Sequence, residues 1–252
     1  MSLGLTQSLS RRDTQNAGGT LTTNLAFEIA GGPDVSIAIE HAVIAGWTAR
    51  DRAAVDHHIA ELEAIGVAPP SSVPLFYRVS AALLTTAPEI DVVDGSTSGE
   101  VEPVLIDDGT TLFLGLGSDH TDRRLEAHSV ALSKQVCAKP VARTLWRFED
   151  VAAHLDRIEM RSFVRDVPEG DWVPYQDGTL ASIRPLTELM EKSPFAAGPA
   201  RLRAGTAMMC GTFGVLSGGV RPSRYFRMEM RDPVRGRILE HTYESRVLPA
   251  VK

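Results

Sequence analysis

Gly99-Glu100-Val101-Glu102-Pro103-Val104-Leu105-Ile106, followed by Leu112-Phe113-Leu114-Gly115-Leu116-Gly117-Ser118-Asp119, is the stretch on which the reading of this chain turns. With Val101 on a strand, the two-residue repeat of extended backbone puts Glu100 and Glu102 on one face. A second strand through Leu112 to Leu116 then delivers Asp119 beside them. Three carboxylates among apolar strands repel one another and need a cation. Hard oxygen donors suit Mg²⁺ or Mn²⁺, one per chain, whose octahedral shell keeps positions for water and substrate oxygens. The plain alternative for a Glu-x-Glu pair is a solvated strand face.

The surrounding composition is that of a soluble globular protein. The chain has 252 residues, 43% hydrophobic and 23% charged, enough for one large core or two small ones. A net charge of −6 argues against general nucleic-acid binding, which needs a basic surface, and favours small molecules as ligands. No apolar run is long enough for a membrane helix, and the N-terminus lacks the apolar segment of a secretory signal. A cytoplasmic protein is expected. Cys137 and Cys210 each sit in apolar context and read as free buried thiols.

Outward from the acidic strand, the pattern is mainly β with a few helices, an α+β chain. Residues 1–20 are polar and read as a flexible arm. Residues 21–90 read as a small N-terminal β region: a hairpin of Leu25–Ile29 and Val35–Ile39 about a Gly-Gly-Pro-Asp turn, then a strand through Ala42–Ala45. A helix follows from Ala49, with Val55, Ile59, Leu62 and Ile65 on one face, and stops at Gly66. The Pro-rich linker 69–74 leads to a strand at Leu75–Val79. Residues 91–252 read as the catalytic β domain, with helices expected at Phe148–Leu155 and after Pro185, and a strand at Tyr225–Met230.

Several segments in order resemble the fumarylacetoacetate hydrolase family. Gly99-Glu100-Val101-Glu102 is similar to its Glu-x-Glu strand, and Leu114-Gly115-Leu116-Gly117-Ser118-Asp119-His120-Thr121-Asp122-Arg123 to its Gly-x-x-x-x-Asp-x-Ser/Thr-x-Arg segment. Ala131-Leu132-Ser133-Lys134 resembles the segment carrying the family's Lys, and Gln176-Asp177-Gly178-Thr179 its Gln-x-Gly-(Asn)-Thr turn. Leu202-Arg203-Ala204-Gly205 and Met209-Cys210-Gly211-Thr212-Phe213-Gly214-Val215 are similar to the family's C-terminal glycine motifs. His57-His58-Ile59-Ala60-Glu61 looks like its lid, in which a His and a Glu at i and i+3 act together on water. Ser118, Arg124, Gln135, Thr206 and Phe213 depart from the usual residues, which marks a divergent branch, of the kind catalogued as a domain of unknown function.

The resemblance implies a mixed β-roll core, a homodimer and a divalent metal held by Glu100, Glu102 and Asp119. It also implies a hydrolase that cleaves a carbon-carbon bond in a small acylpyruvate-like or 1,3-dicarbonyl acid through a metal-bound enolate. His58, at the i, i+3 spacing from Glu61, or His57, which follows Asp56 as the family's His follows Asp, would take a proton from water. Lys134 would meet an oxyanion or a substrate carboxylate, and Gln176, Gly211, Thr212 and Arg123 would fix substrate oxygens. His120, Asp122 and Arg123 would orient the ligands from behind. The same site would serve a hydratase, isomerase or decarboxylase of 2-oxo acids, or a non-catalytic binding protein that kept the fold.

Two other motifs are excluded. Gly115-x-Gly117 is followed by His120 where a dinucleotide loop needs Gly, and no βαβ pattern surrounds it, so no nucleotide cofactor is expected. The acidic residues also lack the spacing of an EF-hand loop.

Overall fold

Alternation of apolar and polar side chains builds the first hairpin. In β1 (Thr23–Ile29), Phe27 and Ile29 are buried while Ala26 and Glu28 face outward, and β2 (Val35–Ile39) buries Ile37 and Ile39 in the same way. The computed structural model describes residues 22–64 and 69–249. The proposed arm at 1–20 lies outside the described residues, as do Ile65 and Gly66 of the expected helix stop.

The remaining elements follow in order. They are β3 (His41–Gly46), α1 (Arg52–Ala64), β4 (Leu75–Val79), β5 (Leu84–Thr85), β6 (Glu89–Val92), β7 (Thr97–Ser98), β8 (Val101–Asp107), β9 (Leu112–Ser118) and β10 (Thr121–Asp122). Then come α2 (Arg123–Glu126), α3 (Val130–Gln135), β11 (Lys139–Pro140), β12 (Thr144–Arg147), β13 (Glu159–Arg165), β14 (Val173–Thr179), α4 (Leu186–Lys192), β15 (Thr206–Met209), β16 (Tyr225–Asp232) and β17 (Arg237–Val247). The architecture is mainly β with few helices. None of the described helices is long and apolar enough to cross a membrane.

An eight-stranded curled sheet runs β2-β1-β12-β9-β8-β15-β3-β4, and a five-stranded sheet runs β14-β13-β16-β17-β6. Strands from both ends of the sequence meet in the larger sheet, where β15 pairs in parallel with β3 and antiparallel with β8. The acidic strand β8 sits near its middle, and all seven of its residues are buried. That explains the unbroken Val104-Leu105-Ile106 run, since a strand covered on both faces has no solvent side to keep polar. Val101 and Leu105 join Leu114, Met160, Met228 and Tyr243 in the core shared with the five-stranded sheet. Val104 and Ile106 join Phe27, Ile39, Phe113 and Met209 on the other side. Each such side chain contributes about 1.5–3 kcal/mol by leaving water.

The helix expected at Phe148–Leu155 forms instead as two short 3₁₀ stretches, Phe148–Asp150 and Ala152–Arg157. His154 breaks the second at φ −142° and ψ 28° and carries its ring to Asp232, with Nε2 3.0 Å from Oδ1. A tertiary contact has overridden the local pattern. The strands at 75–79 and 225–230 and the helix after Pro185 form where expected. Cys137 and Cys210 are both free and buried.

Candidate metal centre

The strand register makes the acidic cluster. Val101 pairs with Ser118 and Glu102 with Gly117, and the Asp119 N–H donates to the Glu100 carbonyl at 3.0 Å. Glu100 and Asp119 are therefore cross-strand neighbours, and Glu102 lies two residues along the same face. Glu100, Glu102 and Asp119 each offer a carboxylate oxygen, and the three oxygens lie within 4.8 Å of one another. Gly117 opposite Glu102 permits this packing, because a Cβ there would stand 2.6 Å from Val104 Cγ2 and 3.2 Å from the Pro140 carbonyl. The Gly115-x-Gly117 pattern thus serves close strand packing.

The environment of each carboxylate differs. Burial and the nearby Asp119 charge push the Glu102 carboxyl well above the usual range, although Lys134 and the Gly211 N–H, 2.8 Å from Oε2, act the other way. Burial raises Glu100 too, opposed by Arg123, whose Nη2 lies 3.1 Å from Glu100 Oε1. Asp119 is fully buried, but two lysines outweigh that burial and hold it well below the ordinary carboxylate range. Lys134 bonds its Oδ2, and Lys139 Nζ lies 2.9 Å from its Oδ1. Burial alone would lower Lys134, yet Asp119, Glu100 and Glu102 keep it raised and charged.

The donor set fits a hard divalent cation: three carboxylate oxygens converge, and Glu102 is held in a charged cluster that burial otherwise disfavours. Glu100 and Glu102 open onto a cavity of about 300 Å³, also lined by Gly46, Trp47, Thr48, Val55, Lys134, Gly211 and Thr212. A larger cavity of about 570 Å³ lies at the ends of β6 and β17, away from the acidic cluster.

Of the other expected site residues, Lys134, Gly211 and Thr212 line this cavity, while Gln176 and Arg123 do not, and several of them are already engaged. Gly211 sits at φ +93° and spends its N–H on Glu102. Thr212 Oγ1 donates to the Val101 carbonyl at 2.8 Å. Gln176 is buried, accepts from Val101 N at 3.0 Å and Ser162 Oγ at 2.9 Å, and donates to Thr212 Oγ1 and the Phe213 carbonyl, both at 2.8 Å. Arg123 Nε donates to Ser98 Oγ at 2.7 Å and Nη1 to Glu126 at 2.7 Å. Asp122 accepts from the N–H groups of Arg124 and Leu125, each at 3.0 Å, and caps α2. Val55 brings α1 to the cavity wall, while the side chains of His58 and Glu61 lie outside the described residues.

Residues 45–243 match the family described as Protein of unknown function (DUF2848). The chain belongs to that family. No curated protein matches this DUF2848 member. Among solved structures, it resembles a candidate fumarylpyruvate hydrolase from Burkholderia cenocepacia at 18% identity and TM-score 0.56, covering 90% of this chain and 96% of that one. A 2-keto-3-deoxy-D-arabinonate dehydratase complexed with magnesium and 2,5-dioxopentanoate matches at 13% identity and TM-score 0.53, covering 82% and 74%. Fumarylacetoacetate hydrolase from Exiguobacterium antarcticum matches at 18% identity and TM-score 0.51, covering 82% and 75%. At such identities the likeness shows the fold alone: the DUF2848 chain has a fumarylacetoacetate hydrolase-like fold.

Three residues of the site escaped the sequence reading. Lys139 carries no local sign of burial, and its position depends on the parallel pairing of β11 with β5. Ser118 and Tyr243 bond one another at 2.8 Å across 125 residues of sequence. Tyr243 also meets His120 Nδ1 at 2.9 Å, and burial, then Lys139 and Arg123, push that imidazole down to about 3 and keep it neutral.

Proposed function

We propose that this protein is a divalent-metal-dependent enzyme that hydrolyses a carbon-carbon bond in a small acylpyruvate-like or 1,3-dicarbonyl acid. The observation that carries the reading is the convergence of Glu100, Glu102 and Asp119 within 4.8 Å beside a cavity that Lys134 also lines. These three residues would hold Mg²⁺ or Mn²⁺, one per chain. When bound, the metal supplies Lewis-acid polarisation of a carbonyl and stabilises charge that develops on its oxygen.

The side chains then divide the remaining work. Lys134 stands at the cavity wall, charged and hydrogen-bonded to Asp119, and donates to negative charge forming on the substrate. Gly211 and Thr212 hold Glu102 and β8 in place through the bonds they already make, and both residues line the cavity where a substrate carboxylate would lie. Gln176 supports Thr212 from beneath, and Arg123 steadies Glu100. We assign water activation to His58 with Glu61 on α1, the helix that reaches the cavity through Val55. The curled sheet corresponds to a β-roll, with residues 21–90 supplying the lid helix and 91–252 the catalytic part. A cytoplasmic homodimer completes the reading.

A second reaction on the same residues, dehydration or another 2-oxo acid conversion, is favoured by the magnesium-bound dehydratase among the similar structures. Turnover assays separate these readings. With Mg²⁺, acylpyruvates should lose their enol absorbance and release two acids, and Lys134→Met should lower kcat by about 10²–10³. His58→Ala should abolish hydrolysis, and full turnover in that variant excludes the assigned water activation. Metal binding without conversion of any acylpyruvate or 2-oxo acid would leave a binding protein.

A further inference from the structure

Lys139 is completely buried, and its ammonium group meets Asp119 Oδ1 at 2.9 Å and the His120 carbonyl at 2.5 Å. Neither Lys139 nor Asp119 lines the cavity, whereas Lys134 and Glu102 do. No substrate in that cavity would touch Lys139, so its effect must pass through Asp119 and through its charge. A buried ammonium is retained only where nearby negative groups outweigh its lost hydration.

The charge balance of the cluster gives this lysine a consequence. Glu100, Glu102 and Asp119 are opposed by Arg123, Lys134 and Lys139, three negative groups against three positive ones. Arg123 is also shared with the partly exposed Glu126. The three carboxylates are therefore close to neutralised by fixed protein cations before a metal arrives. A divalent ion would add two positive charges to a buried site, and uncompensated charge is costly there. Lys134 can pass its hydrogen bond from Asp119 to an anion in the cavity. Lys139 is enclosed and has no such alternative.

We infer that Lys139 is a positioning residue that makes metal binding conditional on an anionic chelator: the site holds a divalent cation weakly alone and tightly together with a dianion. This rests on the proposed metal site and adds to it a binding order, with the acidic substrate and metal stabilising each other. The reciprocal nature of such coupling means that the anion, too, binds poorly without the metal.

The test is calorimetric titration of Mn²⁺ into the full chain, wild type and Lys139→Met, with and without saturating oxalate, the association of Mn²⁺ with oxalate in buffer being subtracted. Oxalate should strengthen Mn²⁺ binding to the wild type by tenfold or more. Lys139→Met keeps most of the side-chain length, one atom short, and removes the charge. It should bind Mn²⁺ alone at least tenfold tighter than wild type and lose most of the oxalate effect, while Lys139→Arg should retain it. Tight Mn²⁺ binding by the wild type that oxalate leaves unchanged overturns the inference, whether or not the variants fold. So does a folded Lys139→Met that binds Mn²⁺ no tighter. Both leave the metal site standing, whereas no Mn²⁺ binding by the wild type under either condition removes the site itself and the inference with it.

Discussion

The Gly211 N–H donates to Glu102 Oε2 at 2.8 Å, so a turn near the C-terminal end of the sequence fixes a carboxylate on the central acidic strand. The turn needs glycine twice over. Its φ of +93° is in the left-handed region, and an added Cβ would fall 1.7 Å from Thr48 Oγ1. Gly211→Ala should therefore cost about 2–4 kcal/mol from combined backbone strain and overpacking. Urea unfolding checks this, and a midpoint equal to wild type would contradict it.

Gln176 links the two sheets with four hydrogen bonds, two accepted and two donated. Gln176→Leu fills similar space but leaves Val101 N–H and Ser162 Oγ without that acceptor. A loss of about 2–4 kcal/mol is expected, since buried donors would lose partners within one network. Thermal unfolding should show a clearly lowered midpoint; if the midpoint were kept, the amide would not be structural.

The acid limb of stability has a separate source at Asp232. Burial would raise its carboxyl, but the N–H groups of Arg235 and Val234, the Arg237 side chain and His154 hold it below its ordinary value of 3.8. A depressed folded-state value means that this stabilisation is fully present above the unfolded value and is lost as pH falls through the folded one. Asp232→Asn should thus be less stable than wild type by about 1–3 kcal/mol near neutral pH. The gap should hold down to about pH 5 and narrow below about pH 4. Chemical unfolding across that range would contradict the account if the gap widened in acid.

The acidic triad was legible because its geometry is local to two adjacent strands: alternation places Glu100 with Glu102, and antiparallel pairing brings Asp119 beside them. The apolar runs of β8 and β9 announced burial in the same way. The supporting cations were less legible. Lys134 could be found only through its resemblance to a family motif, and Lys139, in Cys137-Ala138-Lys139-Pro140, has the local look of a surface residue. Its burial depends on β5, a strand more than fifty residues earlier in the chain. The 3₁₀ break at His154 was likewise set by a distant partner, Asp232. Gly211 and Thr212 were visible as a glycine turn, but which strand they fasten follows only from the pairing of β15 with β8.

The most direct test of the metal centre is Mn²⁺ binding in the presence of saturating oxalate, compared between wild type and Glu102→Ala. The wild type should bind one ion per chain, and removal of the Glu102 carboxylate should weaken that binding by about a hundredfold, equivalent to about 2.7 kcal/mol. A folded Glu102→Ala protein that binds Mn²⁺ as tightly as wild type would contradict the assignment of Glu100, Glu102 and Asp119 as the metal ligands.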